Sequence, residues 1–121
     1  MVKEGIKLLK VINSENKIIA EDLIVADSFI RRLKGLMFKK NFNKGEALII
    51  KPCSSVHTFN MRFSIDVVFI SKDNTVLYTI ENLKPNRVSP VIRKAYSVLE
   101  LPEGTIKETN IKIGNKILIK H

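Results

Sequence analysis

Three side chains in the middle of the chain are of types that bind metals or ligands. Cys53, His57 and Met61 are spaced by four residues, which places them on one face of a strand or of a helix. Thiol, imidazole and thioether form a soft set that suits Cu(I). On a straight strand, however, each four-residue step covers about 13 Å, so three such ligands cannot reach one ion. The sequence therefore predicts no metal site and no cofactor.

Two carboxylates lie inside apolar strand patterns. Asp66 precedes a run of β-branched and aromatic residues, and Glu100 stands between Leu99 and Leu101. A carboxylate in such a strand is costly unless it is paired or hydrogen-bonded. Burial also shifts the pKa of a carboxyl, and groups with shifted pKa values are common in functional sites. An ion pair with an arginine, or bonds from backbone amides, is the structural alternative.

These residues support a binding hypothesis and an enzyme hypothesis. In the first, the chain is a small-molecule or saccharide-binding module with a polar site on a β-sheet. The residues that would form this site are His57, Phe59, Met61, Asp66 and Glu100. In the second, Asp66 and Glu100 are the acid–base pair of a hydrolase or lyase, and His57 assists them. The binding hypothesis is favoured, and the sequence leaves open which ligand is bound, whether catalysis occurs and how many copies assemble.

A basic segment supports a third hypothesis, an interaction module. No acidic residue occurs between Asp27 and Glu46, and the cations of the predicted helix and its end are Arg31, Arg32, Lys34, Lys39 and Lys40. Such a segment could face an acidic partner, RNA or an anionic membrane surface. A solvated helix face is favoured over these partners, because few aromatic side chains are available to stack on bases. The formal net charge of +9 is likewise spread along the chain.

Short strands separated by turn residues must position these groups. The predicted strands are residues 7–12, 17–25, 46–51, 64–71, 76–82, 96–101 and 116–120. Residues 13–16 and 72–75 have turn compositions and predict a hairpin at each position. Many short strands with few helical segments favour a mostly-β sandwich over repeated βαβ units.

Two short helical segments are also predicted. Apolar residues recur on one side of the first at helical spacing, and they are Phe29, Ile30, Leu33, Leu36 and Met37. Asp27 can cap its start, and Gly35 can either end it as a left-handed cap or lie on its exposed face. The second begins at Thr105, where Thr105 and Glu108 match a capping box. The chain is therefore predicted to be a single domain, residues 1–121, of β-sandwich architecture with one or two short helices.

Length and composition exclude several protein classes. A chain of 121 residues with 45% hydrophobic and 27% charged side chains suits one globular domain without disulfide or metal. Its longest apolar runs have four residues, whereas a spanning helix needs roughly 20. No leader-like segment begins the chain and Cys53 is its one cysteine, so a cytoplasmic location is expected. Phosphate-binding loops, dinucleotide fingerprints, zinc-type cysteine pairs and nucleophile elbows are absent from the sequence.

Three blocks, RLKGLMF at residues 32–38, VHTFNMRFSIDVVFI at 56–70 and SVLELPEGT at 97–105, resemble the domain-of-unknown-function 192 family in order and spacing. The resemblance runs from about residue 20 to the C-terminus. It implies a compact jelly-roll β-sandwich with no agreed activity, for which fold analogy suggests a carbohydrate-related role. Where the family usually has Pro, this chain has Ser64. The positions that match the family are Gly35, Met37, His57, Met61, Asp66, Glu100 and Gly104.

Overall fold

A computed structural model describes residues 6–7 and 10–120, and over this range the chain forms two sheets and two short helices. The strands are β1 (Ile6–Lys7), β2 (Lys10–Asn13), β3 (Ile18–Ala20), β4 (Asp22–Ala26), β5 (Glu46–Ile50), β6 (Ile65–Ser71), β7 (Val76–Leu83), β8 (Ala95–Pro102) and β9 (Ile117–Lys120). The helices are α1 (Phe29–Lys34) and α2 (Thr105–Thr109). The prediction of a mostly-β, two-sheet fold with short helices is confirmed.

The larger sheet is the platform of the molecule. Its strands run in the order β1-β4-β5-β8-β6-β7, and the smaller sheet has the order β3-β2-β9. Neighbouring described strands are antiparallel except for β4 and β5, which are parallel. Parallel neighbours need a crossover connection rather than a tight turn. The chain supplies it as residues 27–45, which contain α1.

Both predicted hairpins form. β2 and β3 pair across residues 14–17, one residue later than the predicted turn, and β6 and β7 pair across residues 72–75. Asn74 has φ 68°, a left-handed conformation that asparagine adopts in turns. The predicted strand 17–25, however, splits into β3 and β4, because the amides of Glu21 and Asp22 bond to the Gly45 carbonyl. The first predicted strand includes residues 8 and 9, which lie outside the described residues.

Alternation along the central strands builds a hydrophobic core on each face of the large sheet. Val68 and Leu99 belong to the core between the two sheets, whereas Val67 and Val98 belong to the core on the other face. That second face is covered by irregular segments instead of a sheet, and we call it the loop-covered face. The segments that cover it are residues 27–45, 51–64 and 84–94.

α1 begins one residue later than its predicted cap. The N-cap is Ser28, not Asp27, because the Ser28 side chain accepts the N–H of Arg31 at 3.2 Å. Gly35 ends the helix as predicted, at φ 47° with its N–H bonded to the Arg31 carbonyl. Within the described residues, no helix has the length and hydropathy required to cross a membrane.

α2 begins at Thr105 as predicted, but the predicted capping box of Thr105 and Glu108 does not form. The Thr105 hydroxyl donates instead to the Pro102 carbonyl at 2.7 Å. Gly104 precedes the helix at φ 94°, a conformation in which a side chain would be strained. The amide groups at this helix end are bonded by Asp66, which lies on β6.

Candidate functional site

A cleft of about 240 Å³ on the loop-covered face contains three of the five predicted site residues. Glu100, in the middle of β8, forms its floor, and His57 and Met61 lie in its walls. The remaining walls come from α1, from the end of β5 and from residues 52–56. The cleft exists because two irregular segments and a one-and-a-half-turn helix, rather than a second sheet, cover this face of β8.

Glu100 is a buried carboxyl without a partner. Its side chain is 1% exposed, and Oε1 has no hydrogen-bond partner among the described residues. The directly opposed residues on the adjacent strands, Leu48 and Val67, are apolar. Burial raises the pKa of Glu100 to about 8, so the carboxyl holds its proton at neutral pH. A neutral carboxyl can both donate and accept a hydrogen bond with a molecule in the cleft.

Asp66 lies on the opposite face of the large sheet from Glu100. In the β6–β8 pair, Val67 is opposite Glu100 and Asp66 is opposite Leu101. Adjacent residues of a strand point to opposite faces, and opposed residues of a pair share a face. The two carboxyl groups therefore do not face one cleft, and the geometry removes the acid–base pair on which the hydrolase or lyase hypothesis depended.

Asp66 accepts hydrogen bonds from backbone amides, which is the arrangement that the structural alternative describes. One of its oxygens accepts the Asn82 N–H at 3.0 Å, and the other accepts the N–H groups of Gly104 and Ile106 at 3.1 and 2.9 Å. The residue is fully buried. It thereby joins β6 to β7 and to the start of α2, which is why a carboxylate is tolerated at this position.

His57 and Phe59 form a stacked pair at one wall of the cleft. Their ring centroids are 5.2 Å apart, and the ring planes differ by 22°. The Phe59 N–H donates to the His57 Nδ1 at 3.1 Å, which leaves the ring proton of a neutral imidazole on Nε2. Phe59 is half-exposed and supports the imidazole, whereas His57 itself lines the cleft.

Cys53 and Met61 contribute sulfur atoms to the walls. The Cys53 thiol donates to the Ser55 carbonyl at 3.0 Å, and burial raises the pKa of this thiol. A thiol with a raised pKa is a poor nucleophile at neutral pH. In the described part of the chain, no three His, Cys, Asp or Glu side chains are grouped closely enough to hold a metal ion.

α1 supplies cleft residues that the sequence analysis assigned to other functions. Arg32 and Lys34 line the cleft together with Phe29 and Leu33. Lys34, Phe29 and Leu33 are exposed and therefore lie at the mouth. No local sequence pattern indicates that α1 lies near β8, since the contact arises from the crossover between β4 and β5.

Thr58 holds the segment that carries His57. Its buried hydroxyl donates to the Lys84 carbonyl at 2.6 Å and accepts the Arg87 N–H at 2.9 Å. The sequence predicts no role for this residue. Its importance comes from hydrogen bonds to a segment about 30 residues away, and no local sequence pattern indicates such bonds.

We expect Thr58→Val to lower the free energy of unfolding by about 1–2 kcal/mol, because it keeps the side-chain shape but leaves the part-buried Lys84 carbonyl and Arg87 amide without this partner. Urea unfolding measures the change. Thr79→Val, at a half-buried position on β7, is the matched control and is expected to change stability by less than about 0.5 kcal/mol. Equal effects of the two substitutions would contradict an anchoring role for Thr58.

Comparison with known proteins places this fold and sequence in one family. The domain-of-unknown-function 192 family, described as "Uncharacterized ACR", matches residues 10–119. A UPF0127 protein of Pyrococcus abyssi is 35% identical over 99 residues, covering 77% of this chain and 81% of that protein. A UPF0127 protein of Pyrococcus furiosus is 31% identical over 109 residues, covering 86% and 91%.

A solved structure shares the fold. The crystal structure of a protein of unknown function from Novosphingobium aromaticivorans matches with a TM-score of 0.82 at 22% identity, covering 98% of this chain and 91% of that one. The family match spans most of the chain, and the similarity to the archaeal relatives agrees with it. The chain therefore belongs to the domain-of-unknown-function 192 family, whose description assigns no activity.

Proposed function

We propose that this protein binds a small organic molecule in the cleft above β8, with Glu100 as the polar anchor at the floor. The observation that carries the proposal is the Glu100 carboxyl, which is buried among apolar neighbours with Oε1 unpaired. Leaving such an atom without a partner is costly. A ligand group that donates a hydrogen bond to Oε1 would remove this cost.

The cleft volume limits the size of the ligand. An apolar cavity of about 150 Å³ holds benzene, so 240 Å³ suits a molecule of roughly ten non-hydrogen atoms. A single ring or a short chain fits this space, whereas an oligosaccharide would extend outside it. Ile50, Val56 and Met61 make most of the wall between floor and mouth apolar.

The distribution of charge orients the ligand. Glu100 is neutral at the floor at neutral pH, and the cations Arg32 and Lys34 line the cleft on the α1 side. A molecule with a hydroxyl or amide at one end, an apolar body and an acidic group at the other end is complementary to all three regions. A free monosaccharide would instead place hydroxyl groups against the apolar walls, which is costly.

A thermal-shift screen tests the proposal, with small apolar hydroxy acids in one set and monosaccharides in another. A ligand at 100 times its Kd adds about 2.7 kcal/mol, which raises the Tm by roughly 8 °C in a domain of this size. The shift should disappear in Glu100→Met, which keeps the length of the side chain but removes its polar atoms. Glu103→Met, at an exposed glutamate, is the matched control and should shift like wild type.

Two outcomes would contradict the proposal. A shift that survives Glu100→Met would place the ligand elsewhere. If the protein unfolds cooperatively and no member of either set raises its Tm, Glu100 does not have the proposed role. If only monosaccharides raise the Tm, the cleft remains the proposed site, but a hydroxy acid is not its ligand.

A further inference from the structure

The apolar side of α1 faces solvent instead of the core. Phe29, Ile30 and Leu33 are 71%, 74% and 58% exposed, and no residue of α1 is buried. Phe38, which is 63% exposed, and Phe59 lie next to this surface, because the Phe38 N–H bonds to the residue after Phe59 and the Phe59 ring stacks at a wall of the cleft that Phe29 and Leu33 also line. We call these five side chains the apolar rim. Large apolar side chains concentrated on a surface mark a site of interaction.

A belt of cations accompanies the apolar rim. It consists of Arg31, Arg32, Lys34, Lys39 and Lys40, which we call the basic belt. The salt bridges of the described residues involve Lys44 and Lys116, and none involves a member of the basic belt. No acidic residue occurs between Asp27 and Glu46 to offset these charges. The surface is therefore both apolar and strongly positive.

We propose that the apolar rim and the basic belt dock this protein onto an anionic lipid surface. At such a surface, Phe and Ile side chains enter the boundary of the acyl chains while Lys and Arg remain at the level of the anionic headgroups. The order of residues on α1 fits this division, since Arg31 and Arg32 lie between Ile30 and Leu33 in sequence.

Two other partners fit this surface less well. An acidic protein would have to remove water from cations that are interspersed with apolar side chains, which is costly at an interface. RNA would use the cations and the phenylalanine rings of the apolar rim, but it would leave the exposed aliphatic side chains of Ile30 and Leu33 in water. Headgroups, in contrast, pair with the cations while leaving them hydrated.

The experiment is vesicle co-sedimentation of the full chain. Vesicles of phosphatidylcholine alone are compared with vesicles that also contain phosphatidylglycerol, at low and high salt. We expect binding to the anionic vesicles only, and weaker binding in high salt because salt screens the attraction. Neither Lys39, Lys40 nor Ile30 lines the cleft, so variants at these positions leave the proposed ligand site unchanged.

Variants separate the two parts of the surface. Lys39→Gln with Lys40→Gln should weaken binding on the order of 25-fold, since each lysine contributes about fivefold at an anionic surface. Ile30→Ser should weaken it about tenfold through lost apolar burial. The matched controls are Lys107→Gln with Lys112→Gln, and Ile113→Ser. All three positions are exposed and lie outside the apolar rim and the basic belt. They should bind like wild type.

Several results would overturn the proposal. Equal binding to neutral and anionic vesicles would remove the role of the basic belt. If the rim and belt variants and their controls lose vesicle binding equally, binding depends on net charge or overall hydrophobicity and not on this surface. Lipid docking would be overturned if the protein did not sediment with anionic vesicles at low salt. It would also be overturned if the protein bound RNA instead and Ile30→Ser left that binding unchanged. None of these results bears on ligand binding at Glu100.

Discussion

Replacing Asp66 with alanine is expected to lower the free energy of unfolding by about 3 kcal/mol or more. The buried Asp66 carboxylate accepts three backbone N–H groups, and the substitution leaves all three without this acceptor, the Ile106 N–H in a buried position and the other two in part-buried ones. Each unsatisfied buried donor costs about 1–3 kcal/mol. Urea unfolding followed by circular dichroism measures the loss. The start of α2 should become less protected from amide hydrogen exchange, because Gly104 and Ile106 lose their acceptor.

Asparagine at this position separates hydrogen bonding from side-chain volume. Asp66→Asn keeps one acceptor oxygen, but its amide group must face at least one of the three donors, so a loss of about 2 kcal/mol is expected. Glu103→Ala, at an exposed acid next to Gly104, is the control and should change stability by less than about 0.5 kcal/mol. A loss below about 1 kcal/mol in Asp66→Ala would contradict the anchoring role of this carboxylate.

Stability is expected to fall as the pH rises from 4.5 to about 8, because of Glu100. In the unfolded chain the carboxyl loses its proton near its ordinary pKa of 4.5, whereas in the folded protein burial keeps it protonated until about pH 8. Between these values the folded state binds more protons, so rising pH favours unfolding. The contribution is fully present below pH 4.5 and is lost above pH 8, a difference on the order of 5 kcal/mol.

Glu100→Gln isolates this contribution, since glutamine does not ionise and has nearly the same shape. Urea unfolding of both proteins across the pH range measures the difference in their free energies of unfolding. Wild type should lose stability relative to Glu100→Gln as the pH rises through the window, and Glu103→Gln should show no such trend. A difference that is independent of pH would contradict a buried, protonated Glu100.

Part of the candidate site could be predicted from residue type and position. His57, Met61 and Glu100 are polar or soft groups within strand-like segments, and they line one cleft. Asp66 meets the same criterion, but it lies on the other face of the sheet. Alternation tells which residues of one strand share a face. It does not tell which face of a neighbouring strand they meet, because that depends on the register between strands.

The sequence by itself determined the mostly-β fold, both hairpins, the positions of the two helices and the family. These features follow from local patterns, namely strand alternation, turn residues and helical spacing, which act over a few residues. Only the tertiary structure decided that Glu100 is unpaired at the floor of a cleft and that the apolar side of α1 is exposed. Both depend on the crossover from β4 to β5 and on the register of β6 and β8, which join residues far apart in sequence and have no local signal.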